Sequence, residues 1–168
     1  MSIDNHVVFG IDCSTFAIAI ATMDKNKVFS TFLLTSKKKL WKERYFDLYN
    51  QFHNFLSFKK TIIRSYKYEI GGIFIEEIPF VHNRQNFSKL TKVVGMCELV
   101  CFQYSLPYFL VNNKSWKLSV IGDGSASKSA IKGFAREFFG DTIETLSQDE
   151  VDALCISYHG LLSLNSSS

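Results

Sequence analysis

A chain of 168 residues with 46% apolar residues and a net charge of +3 carries enough apolar surface to close one core, which excludes a disordered polypeptide. No apolar run approaches the roughly 18 residues of a membrane span, and the opening MSIDNHVVFG has no basic region followed by an apolar stretch, so neither a membrane anchor nor a signal peptide is expected. The cysteines Cys13, Cys97, Cys101 and Cys155 sit in apolar segments with no second Cys/His pair to complete a zinc site; they read as small buried side chains in a reducing compartment, the cytoplasm.

Val7 to Asp12 predicts a buried strand that runs into a polar end. FAIAIATM follows as a second strand, Asp24 to Lys27 as a turn, and VFSTFLLT as a third strand, together an antiparallel meander. From Leu40 the period changes: Trp41, Tyr45, Leu48, Phe52 and Phe55 recur at helical spacing on one face. Ile70 to Ile78 is a fourth strand, apolar through its middle and therefore central in a sheet. Beyond Pro79 a polar loop leads to a helix from Asn86 to Tyr104. Phe87, Leu90, Val94, Cys97 and Cys101 mark one side of it and Val93, Met96 and Val100 a second, which predicts deep burial or a dimer contact. PYFLVN is a short fifth strand and NKSWKLSVIG a short helix. GDGSASKS is a loop entering a helix that turns Ile131, Phe134 and Phe138 inward and stops at Gly140. Ser147 and Glu150 form a capping box at the head of the last helix. This order predicts a single α/β domain over residues 1–164, a five-stranded mixed sheet flanked by helices, with a disordered tail at 165–168.

Charge is segregated along the chain. Lys37 to Lys67 holds nine Lys and Arg against Glu43 and Asp47, whereas the segment from Phe138 onward holds five acids and no Lys or Arg. Such a division suits a basic surface beside an acidic pocket, although a solvated helix face explains the first block taken alone. Within the acidic set, Asp12 and Glu76 each end an apolar strand. If those strands are parallel neighbours, the two carboxylates meet at the carboxyl end of the sheet, where sites form in open α/β folds. Asp149 and Asp152 are three residues apart on the last helix and so share a face. Plainer readings stand beside each: a turn carboxylate for Asp12, a buried salt bridge for Glu76, a helix N-terminal acid for Asp149. Four carboxylates from three elements match the oxygen ligands of Mg²⁺, and two such ions can activate water and stabilise a leaving oxygen on phosphorus. With basic segments to hold a phosphate backbone, the combination points to a nuclease.

FGIDCST, FIEEIPF, WKLSVIGDGSASKSAIKGFAREFFG and DEVDALCISYHG together resemble the RuvC-type Holliday junction resolvases of the ribonuclease H-like superfamily. The match runs through most of the chain in the family's order, is weakest between about Thr35 and Tyr68, and looks closest to the phage-type members. The resemblance implies a ribonuclease H-like fold, a homodimer, Mg²⁺ or Mn²⁺ with two ions per site, and paired nicking of a four-way DNA junction that leaves 5′-phosphate and 3′-hydroxyl ends. It carries catalytic and metal-binding roles onto Asp12, Glu76, Asp149 and Asp152, and a catalytic lysine onto Lys128. Lys117 falls on another basic position of the family's DNA surface. Arg84 and Lys89, after the strand-four acid, and Lys114, Lys128 and Lys132 extend the expected phosphate track, and Phe80 is the aromatic expected to probe the junction. The helix from Asn86 to Tyr104 is the expected dimer contact, and the host cytoplasm the setting if the chain is phage-encoded.

Two departures stand out. Cys13-Ser14 replaces the Pro-Gly that often follows the first Asp, and Pro79 pushes Phe80 one position beyond the expected place. The second keeps open a broader branched-DNA endonuclease that also cuts forks, flaps and Y-junctions. GIDCST also resembles the first phosphate motif of the sugar kinase and actin-like ATPase group, but the chain is short for two such domains and has no Gly-rich adenosine motif. A non-catalytic DNA-binding module on the same fold would be favoured by loss of a carboxylate; all four are present.

Overall fold

A computed structural model describes residues 6–78 and 83–166. The N-terminal third makes the meander: β1 (His6–Cys13) pairs antiparallel with β2 (Ala17–Asp24), and β2 with β3 (Phe29–Thr35). β4 (Glu69–Glu76) adds to the other side of β1 in parallel, and β5 (Tyr108–Val111) adds in parallel to β4, so the sheet order is β3-β2-β1-β4-β5. The sheet is mixed and five-stranded, as the sequence predicts. β4 stops at Glu76 rather than running to Ile78; only the Glu77 amide continues the ladder, donating to the Val111 carbonyl at 2.8 Å.

Strand alternation divides the core into two layers. Phe9, Ile11, Ile18, Ile20, Ile73 and Ile75 face α1 (Trp41–Ser65) and α2 (Arg84–Gln103), where Leu48, Phe52, Leu56, Val93 and Met96 meet them. Val8, Ala19, Ala21 and Phe74 face the other way, towards α3 (Asn113–Ile121), α4 (Lys128–Phe139) and α5 (Gln148–Ser166). Burying each large apolar side chain contributes about 1.5–3 kcal/mol. Residues on the second face are small where α5 crosses. A Cβ on Gly10 would come within 2.1 Å of the Ala153 carbonyl oxygen and 2.3 Å of the Ser157 nitrogen, so the backbone of α5 rests directly on β1.

Local signals set the helix ends. Asn83, Asn112 and Ser127 cap α2, α3 and α4 through their side chains, and Gly122 and Gly140, at φ 84° and 88°, turn the chain out of α3 and α4. Ser147 and Glu150 form the expected box: the Ser147 amide donates to Glu150 Oε2 at 3.0 Å, and the Glu150 amide to Ser147 Oγ at 3.3 Å. The cysteines are free thiols, Cys97, Cys101 and Cys155 buried and Cys13 half-buried.

One expectation changes and two others gain detail. Phe138 lies outside the core, in an aromatic group with Phe134, Phe139 and Tyr158, with Lys27 Nζ 4.5 Å from its ring centre. Of the two outcomes that the apolar rows of α2 allow, deep burial is met: Val93, Val94, Met96, Cys97, Val100 and Cys101 are buried, while Phe87 stays 40% exposed. The face of α2 left to solvent carries Gly95, Leu99 and Phe102, the last two 52% and 73% exposed. Finally, α5 continues through Ser166.

Candidate active site

Asp12 and Glu76 occupy the carboxyl ends of the parallel neighbours β1 and β4. By alternation they project to the same side as Val8, Gly10 and Phe74, the side covered by α5. Gly10 then has a consequence two residues later. Because it admits the α5 backbone, the first turns of that helix, with Asp149 and Asp152, reach the end of β1 that carries Asp12. The helix N-terminus also favours negative charge there.

The four carboxylates act on one another. Burial pushes the Asp12 carboxyl well above the usual range, and the charges of Glu76, Asp152 and Asp149 raise it further, together with a direct hydrogen bond to Glu76. Two carboxyls in contact disfavour a second negative charge, which acts on Asp12 in the same direction as its burial. Asp152 is pushed up to about 6, by burial first; the hydrogen bond from Gln148 opposes the rise, as does the charge of Lys117, while Glu76 and Asp149 add to it. The structure therefore brings Asp12, Glu76, Asp149 and Asp152 into one electrostatic cluster.

Side chains that the sequence did not single out hold two of these acids in place. Glu76 Oε1 accepts from Asn113 Nδ2 at 2.5 Å and from Trp116 Nε1 at 2.8 Å. Trp116 is completely buried, and its indole N–H finds its partner in this carboxylate. Gln148 Nε2 donates to Asp152 Oδ1 at 2.7 Å. The signal available beforehand was the chemistry of a core Trp, whose N–H must be satisfied. Glu150 is occupied elsewhere, by Ser147 and by Thr31 Oγ1 at 3.2 Å.

Among the described residues, no three His, Cys, Asp or Glu side chains converge on one point as a closed metal cage. Asp12 and Glu76 instead turn to each other. The donor set nonetheless fits a hard divalent cation: carboxylate oxygens, and repulsion at Asp12 and Asp152 that a cation relieves.

The basic residues divide. Lys117, half-buried on α3, is the lysine whose charge reaches Asp152, and its Nζ lies 5.5 Å from the Trp116 ring centre. Lys114 is exposed in the first turn of α3, and Lys128 is exposed as the first residue of α4. Lys132 is already engaged, 3.5 Å from Glu144. Arg84, Lys89 and Lys92 line a cleft of about 370 Å³ with Trp41, and Lys89 Nζ stands 5.7 Å from that indole. Phe87 is 40% exposed on α2, and Phe80 lies outside the described residues.

A parallel β1–β4 pair that ends in carboxylates, a meander on one side and an acidic helix laid across the sheet together define an α/β domain of the ribonuclease H-like kind. Solved structures bear out that fold. The chain matches Thermus thermophilus RuvC in complex with a Holliday junction substrate at a TM-score of 0.74 and 17% identity, over 96% of each chain. It matches T. thermophilus RuvC alone at 0.67 and 19%, over 95% of this chain and 96% of that one. A third match is the yeast mitochondrial Holliday junction resolvase Ydc2, at 0.52 and 14%, over 95% and 83%. No family model matches the sequence, and no curated protein matches it. The fold is that of the RuvC-type resolvases, at identities that speak to the fold alone.

Proposed function

We propose that the chain is a divalent-metal-dependent endodeoxyribonuclease that resolves four-way DNA junctions by paired nicks leaving 5′-phosphate and 3′-hydroxyl ends. The observation that carries this reading is the clustering of Asp12, Glu76, Asp149 and Asp152 at one end of the sheet, where burial first and the neighbouring acids after it raise Asp12 and Asp152. On the RuvC-type fold, the junction named for one structural neighbour indicates the substrate.

Asp12, Glu76, Asp149 and Asp152 would hold Mg²⁺ or Mn²⁺, two ions in this reading. Such ions, when bound, make water acidic enough to attack phosphorus and neutralise charge on the departing oxygen. The rest falls to the chain's own groups. Asn113 and Trp116 fix Glu76 through Oε1. Gln148 orients Asp152. Lys117, nearest by its effect on Asp152, and Lys128 supply positive charge for the phosphate; Arg84, Lys89 and Lys114 hold the flanking backbone. Phe80 probes the junction. Dimerisation uses the exposed side of α2, Gly95, Leu99 and Phe102, and gives two sites the two-fold symmetry of the substrate. The same reading takes residues 1–164 as one nuclease domain, phage-type and acting in the host cytoplasm; among the described residues no helix is long and apolar enough to cross a membrane.

The test is a panel of labelled four-way, three-way, flap and linear DNA with Mg²⁺ or Mn²⁺, with cuts mapped on each strand. Symmetric nicks confined to the four-way junction are expected. Comparable cutting of flaps and three-way forms would identify the broader branched-DNA endonuclease instead, and no cutting of any DNA would remove the nuclease reading.

A further inference from the structure

The β1–β2 turn and the β3–α1 loop lie at the same end of the sheet as Asp12, because β1 and β3 run in the same direction. The Ser36 amide ties the two segments together, donating to the Phe16 carbonyl at 3.1 Å. Between them is a cavity of about 460 Å³ lined by Phe16, Ser36, Lys37, Lys38, Lys39 and Arg44. Four of those six residues are cationic. Three of them, Lys37, Lys38 and Lys39, are exposed.

Arg44 is the unusual member. It is only 9% exposed, and it makes no ion pair among the described residues. Its guanidinium sits 3.9 Å from the centre of the Phe16 ring, and Nη2 donates to the Lys39 carbonyl at 3.3 Å. Nε is buried without a hydrogen-bond partner. Asp47, the acid one helical turn away, is engaged by Ser36 and Gln51, whose hydrogen bonds hold its carboxyl below the usual range. A buried cation with an unused donor is costly unless something compensates it. Here the wall of the cavity brings three more cations; the acid beside it, Asp47, is held by those two hydrogen bonds and feels the charge of Lys38.

We infer that Arg44 and the Lys37–Lys39 loop form a second phosphate site, which seats the backbone of a DNA strand away from the position of cleavage. A phosphodiester offers two anionic oxygens to a guanidinium and to mobile ammonium groups, and the exposed Phe16 ring gives the adjoining sugar or base an apolar face. β3 lies two strands from β1, so the pocket and Asp12 sit at the same end of the sheet but on different strands of it. That the phosphate belongs to DNA rests on the nuclease reading above; the cation pocket does not. The site explains why the chain concentrates lysine where its resemblance to the resolvases is weakest.

The experiment measures binding of fluorescent linear duplex and four-way DNA across a salt series, without divalent metal, for wild type and three variants. Lys37→Ala/Lys38→Ala/Lys39→Ala changes only exposed side chains. It is expected to weaken binding about tenfold or more and to reduce the slope of log K against log salt by about 2 to 3, near 0.9 for each phosphate that is no longer neutralised. Arg44→Met is expected to weaken DNA binding without lowering Tm, since a buried unpaired charge is removed. Asp12→Asn is the third; it keeps the wild-type slope in the salt series, and in a parallel reaction with Mg²⁺ it loses cleavage. Unchanged affinity and slope in the triple variant would overturn the site, as would an Arg44→Met protein that melts lower but binds DNA normally. A thermal shift of wild type by inorganic phosphate, with DNA binding unaffected in the variants, would overturn the DNA assignment. A wild type that binds DNA through this loop but, once Mg²⁺ is supplied, never cuts any DNA would refute the nuclease reading and leave the pocket standing.

Discussion

If Asp152 is held ionised beside other acids only with the help of a cation, then removing its charge should stabilise the metal-free protein. Asp152 is pushed from 3.8 to about 6, mainly by burial. At 1.36 kcal/mol per pH unit, the rise amounts to about 3 kcal/mol of folding free energy lost once the group is fully ionised. The sign follows from proton counting. Between 3.8 and about 6 the folded state binds more protons than the unfolded chain, so stability falls as pH rises through that window and is lowest above it. Asp12 adds a contribution of the same sign. Asp152→Asn removes the charge and keeps an oxygen for Gln148 Nε2. In EDTA at about pH 7.5 the variant should melt up to about 6–12 °C higher than wild type, at 2–4 °C per kcal/mol for a domain of this size. At about pH 4 the two should converge, because wild-type Asp152 is then protonated. Thermal melts by circular dichroism across pH provide the comparison. Equal Tm values at neutral pH, or a difference that does not change with pH, would show that burial and the neighbouring acids do not raise Asp152 as described.

Further outcomes follow from the same geometry. Mg²⁺ should raise the wild-type Tm more at about pH 7.5 than at about pH 5, because protons on Asp12 and Asp152 compete with the ion; differential scanning fluorimetry with and without EDTA measures it. Trp116→Phe keeps most of the core volume but removes one donor from Glu76; the Mg²⁺ concentration for half-maximal cleavage should rise about 10–100-fold, the usual cost of losing an outer-shell partner. Gly10→Ala should cost about 1–3 kcal/mol or more of stability in chemical denaturation, and lower the cleavage rate of the folded fraction, since α5 must lift from β1. Leu99→Glu/Phe102→Glu should leave the fold intact in circular dichroism but give a monomer in sedimentation, with junction nicks no longer paired.

Much of the frame is visible in the sequence because its signals are local. The apolar runs of β1 and β4, the period change at Trp41 and the Ser147–Glu150 box each announce their element within a few residues. Asp12 and Glu76 are legible as a pair because carboxylates at the ends of apolar strands conflict with burial. What stays hidden depends on approach between distant segments. Gly10 matters through the carbonyl of Ala153, far along the chain. Asn113 and Trp116 meet Glu76 across the turn from β5 to α3, and no spacing rule anticipates that pairing. The outer surface of α2 is hidden for a similar reason. Two apolar rows allow deep burial or a dimer contact; packing against the sheet and α1 buries most of both in one core, leaving Leu99 and Phe102 on the outward face. Arg44 falls on a basic helix stretch that reads as solvated, yet it is buried beneath Phe16.

The most direct test of the account is cleavage of a labelled four-way junction in Mg²⁺ by the wild type and by Asp12→Asn, Glu76→Gln, Asp149→Asn and Asp152→Asn, each at saturating protein. The account predicts metal-dependent nicking by wild type and a loss on the order of a hundredfold or more in each variant, with junction binding retained. Full-rate cutting by Asp12→Asn or Glu76→Gln, or wild-type cutting undiminished in EDTA, would contradict it.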